Sequence, residues 1–334
     1  MTSQDKTRQD KIQWLAVLQG WSMLLVVIGH AALDSGASGL NSSIAAGIQS
    51  VIYSFHMQLF MFISGWLFFY TCINRNKAYK SVMRSKLSRL GIPFIVFTLA
   101  TTCIKLLMSA YVDRPVDTTE LINTFIFFKS NPLLEMWFVV ALIVLMAMYP
   151  AYKYLLKSKS KVILGVVIML TLFLLFPIIE NYFQLKRVAQ MGLFFYTGLL
   201  ACKYDWVSFV KHRLVFIISL IIFVSLQFLP LSISSPIGLI TSFAGITLSA
   251  SLCMNIADRL PNLFYSFRDY TYQIFLFGIF FQIACKIVYR QLNIEILYWA
   301  MYVLNICFAI YLPVVISKVV LKINNTILKK SIGL

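Results

Sequence analysis

Two histidines lie inside or at the end of long apolar runs, where a polar side chain is costly and therefore indicates function. His30 follows the apolar run Val26–Gly29, and Asp34 comes four residues later. A neutral imidazole can take a proton from a hydroxyl near neutral pH. Asp34 would hold that imidazole in one tautomer if a helix continues through both residues. The alternative is an interfacial or capping histidine beside a loop aspartate.

Further polar side chains share helix faces in the same two runs. Gln19 precedes His30 by eleven residues, about three helical turns, so both lie on one stripe. Gln19 could bind a substrate carbonyl within a bundle, or it could simply join two helices. His56 lies in the second run, with Ser64 about two turns further along its face. We expect His56 either in a site or hydrogen-bonded to a neighbouring helix.

Charged and aromatic residues at the ends of apolar runs indicate where substrates could bind. Arg84 and Arg89 stand just before Pro93, a residue suited to a helix start, and such a start among cations suits a phosphate-bearing ligand. The alternative is the ordinary positive charge of a cytoplasmic loop. Glu135 could bind a sugar hydroxyl, and Trp137 is typical of an aromatic belt at a membrane interface. The three histidines lack the spacing of metal ligands, so no metal site is expected.

The composition places these residues in a lipid bilayer. Of the 334 residues, 60% are hydrophobic and 12% charged, whereas soluble domains are about 25% charged. The apolar blocks reach the roughly 20 residues that cross a hydrocarbon core, and lipid requires such blocks to be helical. The net charge of +17 comes from Lys and Arg clustered between blocks, which is typical of cytoplasmic loops and does not indicate nucleic acid.

The sequence thus predicts an all-α polytopic integral membrane protein, a single domain over residues 1–334, with about ten transmembrane helices and both termini in the cytoplasm. This orientation places 22 of the 29 Lys and Arg residues inside and five outside; Lys105 and Lys286 lie near outer ends of spans. We expect the inner (plasma) membrane as its location. The predicted spans are Ile12–Leu33, Ile48–Tyr70, Gly91–Tyr111, Leu133–Tyr152, Val162–Ile179, Val188–Cys202, Leu214–Leu231, Ile237–Ala257, Tyr270–Tyr289 and Ile296–Ser317.

Taken together, these segments resemble the membrane-bound acyltransferase family 3, in order and over most of the chain. The matching segments are Leu15–Gly20 with Leu25–His30, Phe55–Gly65 (FHMPLFFFISG in the family), Arg89–Pro93 (RLxIP), Met136–Val139 (LWFL) and Tyr270–Leu276. Two positions depart from the family pattern. Gln19 stands where the family has an arginine, and Gln58 stands where it usually has a proline.

The resemblance implies transfer of an acyl group, often acetyl, from cytoplasmic acyl-CoA to a hydroxyl of a glycan or lipid-linked sugar. It makes His30 the leading catalytic residue, with Asp34 as a candidate orienter and His56 as a second site residue. Arg84 and Arg89 become the expected contacts for the CoA phosphates. No bound cofactor is expected, and the expected partners are acyl-CoA, the acceptor and membrane lipids.

A glycan or lipid transporter without acyl-transfer activity is the main alternative. Buried histidines and glutamines such as Gln19 also line transport pathways, although the paired repeats of many transporters are not visible in the sequence. Binding of acyl-CoA by the purified protein would separate the two classes. A third interpretation is an inactive relative that acts as an assembly partner. Under the enzyme hypothesis, Gln19, Glu135 and Trp137 are candidate substrate contacts.

Overall fold

A computed structural model describes residues 3–33, 39–107, 117–229, 235–292 and 294–334, and within these ranges every regular element is a helix. The helices are α1 (Ser3–Gly29), α2 (Leu40–Tyr53), α3 (His56–Phe68), α4 (Tyr79–Lys86), α5 (Ile92–Leu107), α6 (Thr118–Phe125), α7 (Trp137–Ala147), α8 (Tyr149–Leu155), α9 (Lys159–Leu175), α10 (Leu185–Lys203), α11 (Val207–Val210), α12 (Arg213–Leu226), α13 (Pro236–Arg259), α14 (Thr271–Leu292), α15 (Tyr298–Ile323) and α16 (Thr326–Ser331). The all-α prediction is therefore confirmed.

Not every predicted span meets the length and composition of a membrane-crossing helix. Six helices in the described ranges are long and apolar enough, and a seventh is obtained if α7 and α8, bent by 52°, form one span. The apolar parts of α1 and α12, Gln13–Gly29 and Arg213–Leu226, are shorter. Each of the ten predicted blocks contains at least one helix. A polytopic membrane protein follows, while the count of ten and the side of the termini stay predictions.

The chain divides into two compact units. Unit one comprises Met1–Ile63 and Asp205–Asn324, and unit two comprises Ser64–Tyr204 and Asn325–Leu334. Residues of α3 up to Ile63 belong to unit one, and those from Ser64 onward belong to unit two. His30 and His56 therefore both fall within unit one.

In unit one, α1 packs against α2, α13, α14 and α15. Its buried residues Met23 and Val27 share an apolar cluster with Ile274 of α14 and Ile310 of α15. The helices α14 and α15 lie side by side, and Gly278 permits their close approach, because a Cβ there would lie 3.1 Å from the carbonyl oxygen of Ala309. The C-terminal end of α1 is thus surrounded by helices that are distant in sequence.

Unit two has an aromatic core around α10. The side chains of Tyr152, Phe195 and Tyr196 are fully buried, and the ring of Tyr152 lies 5.7 Å from that of Phe195. Gly65 admits the backbone of α10, since a Cβ at this position would lie 2.0 Å from the carbonyl oxygen of Phe195. A glycine is therefore required at the contact between these two segments.

Two predicted spans differ from a single regular α-helix. The second span is divided at Ser54 and Phe55 between α2 and α3. The third continues from Tyr79 to Leu107 without interruption, through a π-helical turn at Leu87–Gly91. A π turn before Pro93 accommodates its missing N–H within a continuing helix. The free helix start expected at Pro93 is therefore wrong, and with it the phosphate site formed by exposed N–H groups there.

Candidate active site

His30 lies directly after the last residue of α1. Its backbone N–H donates to the carbonyls of Val26 and Val27, at 3.2 and 3.3 Å, and the chain then leaves the helix. The final carbonyls of a helix have no intrahelical partner and need one from elsewhere when buried. The position of His30 therefore depends on what binds these carbonyls.

Four side chains from three other helices donate hydrogen bonds to the carbonyls around His30. They are Gln49 of α2 to Gly29 (2.9 Å), Gln282 of α14 to Val27 (2.8 Å), Tyr302 of α15 to Ile28 (3.2 Å) and Asn305 of α15 to Ala31 (3.0 Å). We call this set the α1 cap. It replaces the bonds that a longer helix would make, and it fixes the backbone that carries the imidazole.

The side chain of His30 meets Tyr53, the last residue of α2. The Tyr53 hydroxyl lies 3.1 Å from Nδ1 of His30 and 3.5 Å from Nε2. On its other side, the Tyr53 ring stacks on the ring of His56, with centroids 4.9 Å apart and planes 28° apart. The break between α2 and α3 allows this arrangement, since it places the first residue of α3 against the last residue of α2.

The tautomer of neutral His56 follows from its hydrogen bond. Nδ1 of His56 lies 2.9 Å from the carbonyl oxygen of Ile52, and a carbonyl can only accept. Nδ1 therefore carries the hydrogen, and Nε2 is left as an acceptor in the neutral ring. His56 is 4% exposed. Its hydrogen bond to Ile52 of α2 fits the predicted alternative of a histidine bonded to a neighbouring helix.

A cation lies at the same end of the unit. Lys286 follows Gln282 by four residues on α14, so the two share a helix face. Since Gln282 binds the carbonyl of Val27, that face is turned toward the end of α1. The charge of Lys286 acts on the His30 imidazole. Anionic groups formed beside His30 would be stabilised by this charge.

Two other predicted residues of the first segment stand apart from this group. Gln19 is half-buried in α1. It precedes Gly29 by ten positions, which is about 15 Å along the helix axis. Asp34 lies outside the described residues. The helical continuation from His30 to Asp34 is absent because α1 ends at Gly29, so an orienting role for Asp34 no longer follows from helical spacing.

The remaining predicted residues belong to unit two. Arg84, in the last turn of α4, and Arg89, in the π turn, are both exposed, and neither pairs with a carboxylate in the described part of the chain. Trp137 begins α7 and lies under the guanidinium of Arg187, 4.9 Å from the ring centroid. Glu135 is half-buried in the short turn before α7.

Several residues of the site were missed by sequence reasoning. Tyr53, Gln49, Gln282 and Asn305 all contact the end of α1, and the last two lie deep in predicted spans. A polar side chain within an apolar run is the signal that identified the histidines, and it applies equally to Gln282 and Asn305. Tyr53 gave no such signal, because tyrosine is common in these spans.

Comparison with known families gives one finding for this chain. A family model described as an acyltransferase domain matches residues 12–318. Comparison with curated proteins and with solved structures found no match. The matched range includes both histidines, the α1 cap, and the arginines and tryptophan of unit two.

Proposed function

The chain belongs to acyltransferase family 3, and from that premise we propose that it transfers an acyl group, with acetyl expected, from acyl-CoA to a hydroxyl of a glycan or lipid-linked sugar. The observation that carries the proposal is the placement of His30. Its backbone is held by the α1 cap, and its ring contacts Tyr53, which in turn stacks on His56. A base for a hydroxyl needs such a fixed imidazole.

The chemistry requires one proton to move twice. In the tautomer that carries its hydrogen on Nδ1, His30 donates to the Tyr53 oxygen, and Nε2 is then the acceptor for the proton of the acceptor hydroxyl. The hydroxyl oxygen then bonds to the thioester carbonyl carbon, and the carbon–sulfur bond breaks. The leaving CoA thiolate takes the proton from the imidazolium. The products are an ester and the free thiol of CoA, and His30 is neutral again.

Lys286 supports this step electrostatically. When the oxygen attacks, the thioester carbonyl oxygen becomes anionic, and a nearby cation lowers the energy of that state. Lys286 thus supplies a positive charge close to His30, whereas Gln19, at the position of the family arginine, is neutral.

The donor is proposed to bind through its phosphates. The segment that contains Arg84 and Arg89 carries six Lys and Arg residues between positions 75 and 89, and its arginines are exposed. Guanidinium groups bind phosphate oxygens in pairs of hydrogen bonds. The charge distribution along the sequence places this segment on the cytoplasmic side, where acyl-CoA is found. Glu135 and Trp137 are proposed contacts of the sugar acceptor, and Gln19 of a substrate carbonyl.

The test uses purified protein in lipid nanodiscs with radiolabelled acetyl-CoA and extracted cell-surface glycan. We expect labelled ester in the glycan, and we expect His30→Ala to reduce its formation by about 10²-fold or more, the usual contribution of a general base. His212→Ala is the matched control, because His212 is exposed and lies before α12. Ester formation that survives His30→Ala would contradict the proposal. Absence of acetyl-CoA binding would favour the transporter.

A further inference from the structure

A cavity of about 250 Å³ lies in unit one between α2 and the beginning of α13. Its lining includes Gln49, Ser50, Tyr53, Ser54 and Thr241. Each of these side chains carries a hydroxyl or an amide, and among the described lining residues none is charged. Ala46 and Gly238 complete the lining, so the cavity is uncharged and combines apolar surface with hydroxyl and amide groups.

The hydrogen bonds already made around the cavity leave acceptor oxygens free on several lining side chains. The hydroxyl of Ser54 donates to the carbonyl of Val51 at 2.7 Å, and that of Thr241 donates to the carbonyl of Ile237 at 2.8 Å. The amide nitrogen of Gln49 donates to Gly29. Their oxygens keep unused lone pairs. Such a surface can accept hydrogen bonds from a ligand rich in O–H groups, and among the described lining residues it offers no cation to pair with a carboxylate or phosphate.

Two lining residues of the cavity contact His30 or the residue before it. Tyr53 lines it, and the hydroxyl of the same residue lies 3.1 Å from Nδ1 of His30. Gln49 lines it as well and holds the carbonyl of Gly29, the residue before His30. A hydroxyl at the Tyr53 end of the cavity would therefore lie beside the imidazole.

The size restricts what can enter. Pockets for drug-sized ligands have volumes of about 300–1,000 Å³, and this cavity lies just below that range. One sugar ring with its hydroxyls fits such a volume, whereas an oligosaccharide would have to extend beyond it. Ala46 and Ser50 are exposed on α2, so a longer glycan could continue outward from the ring.

From these observations we propose that the cavity is the acceptor subsite and that it takes one uncharged sugar unit, whose hydroxyl faces His30. The proposal rests on the acyl transfer proposed above. The arm of the acyl donor also carries amides and a hydroxyl, so it is the competing candidate for this cavity. The experiment must therefore observe sugar and donor separately.

Saturation-transfer-difference NMR on the full chain in nanodiscs tests binding directly, since it detects millimolar affinities. The probes are methyl α-D-glucopyranoside, which is uncharged, and the corresponding methyl glucuronide, which carries a carboxylate. Ala46→Phe fills the cavity, because Ala46 lines it. Ile44→Phe is the matched control on the same helix, since Ile44 is exposed and outside the cavity lining. Acetyl-CoA affinity and consumption are measured on the same preparations.

We expect saturation transfer to the glucoside in the wild-type chain and in Ile44→Phe, with a loss of at least fivefold in Ala46→Phe and a weaker signal from the glucuronide. No glucoside signal in the wild type, or equal signals in both variants, would overturn the subsite. A loss of acetyl-CoA affinity in Ala46→Phe with sugar binding intact would assign the cavity to the donor. Failure of His30→Ala to affect acetyl-CoA consumption would instead contradict the proposed function alone.

Discussion

At the scale of the residue, Tyr53 is the side chain that connects the two histidines. Its hydroxyl contacts His30 and its ring stacks on His56, so hydroxyl and ring have separable roles. Removing only the hydroxyl leaves the stacking in place and frees the His30 ring to adopt either tautomer. Tyr53 is therefore a positioning residue for the proposed base.

We predict that Tyr53→Phe lowers kcat by about 2- to 12-fold and leaves the KM for acyl-CoA unchanged. The range corresponds to one hydrogen bond, worth about 0.5–1.5 kcal/mol. Steady-state kinetics with acyl-CoA as the varied substrate give both constants. Tyr70→Phe is the control, because the buried Tyr70 hydroxyl has no hydrogen-bond partner in the described residues. Equal kcat values in the two variants would exclude the positioning role.

The histidines could be identified from the sequence, whereas their connection could not. His30 and His56 are separated by 25 residues, which the sequence assigns to two predicted spans and a loop. Their proximity depends on the break at Ser54 and Phe55, and that stretch, Tyr53-Ser54-Phe55, holds neither proline nor glycine. A helix break that contains neither proline nor glycine follows from tertiary packing and not from local preference. This is why Tyr53 was missed.

At the scale of the element, α1 ends where side chains from other helices take over its carbonyls. Sequence periodicity placed the end of the span at Leu33, because the apolar residues Ala31, Ala32 and Leu33 continue the run. The helix ends at Gly29, where Gln282 binds the carbonyl of Val27 and Asn305 binds that of Ala31, each from more than 250 positions away. No local pattern contains that information.

We predict that Gln282→Leu lowers the free energy of unfolding by about 0.5–1.5 kcal/mol, the usual contribution of one hydrogen bond, because the carbonyl of Val27 loses one of its two donors. We predict that it lowers kcat as well by loosening His30. Thermal unfolding in detergent and acyl-transfer kinetics measure the two effects. Gln227→Leu is the matched control, because the buried amide nitrogen of Gln227 has no partner within the described ranges. A Gln282→Leu protein as stable and active as the control would show that the α1 cap has no role.

At the scale of the whole molecule, the sequence identified the class of protein from the length of its apolar blocks and from its charge distribution. Every predicted block contains at least one helix. The number of helices that meet the length and hydropathy of a membrane span is smaller than ten, because α1, α10 and α12 do not reach both. Helix formation is a local property, whereas crossing depends on what surrounds each helix in the folded chain.

Whether α10 crosses can be decided by which side of the membrane the loops on either side of it face. We predict that Glu180 and Ser208, which are both exposed and flank α10, lie on opposite sides, with Ser208 in the cytoplasm beside Lys203, Lys211 and Arg213. Single cysteines at these positions, in a chain whose six native cysteines are replaced by alanine, report their side through a membrane-impermeant maleimide. Glu180→Cys should react in intact cells, and Ser208→Cys only after permeabilisation.

Cysteines at two further positions serve as a reference for this labelling and as a test of the C-terminal segment. Lys157→Cys precedes α9, a helix that meets the length for crossing, and should be protected in intact cells because its loop carries four lysines. Lys330→Cys follows α15 and should be protected if an odd number of spans separates it from Glu180. Labelling of both Glu180→Cys and Ser208→Cys in intact cells would remove α10 from the spans. Labelling of Lys157→Cys instead of Glu180→Cys would invert the orientation, and acyl-CoA could then no longer reach the arginines of unit two from the cytoplasm.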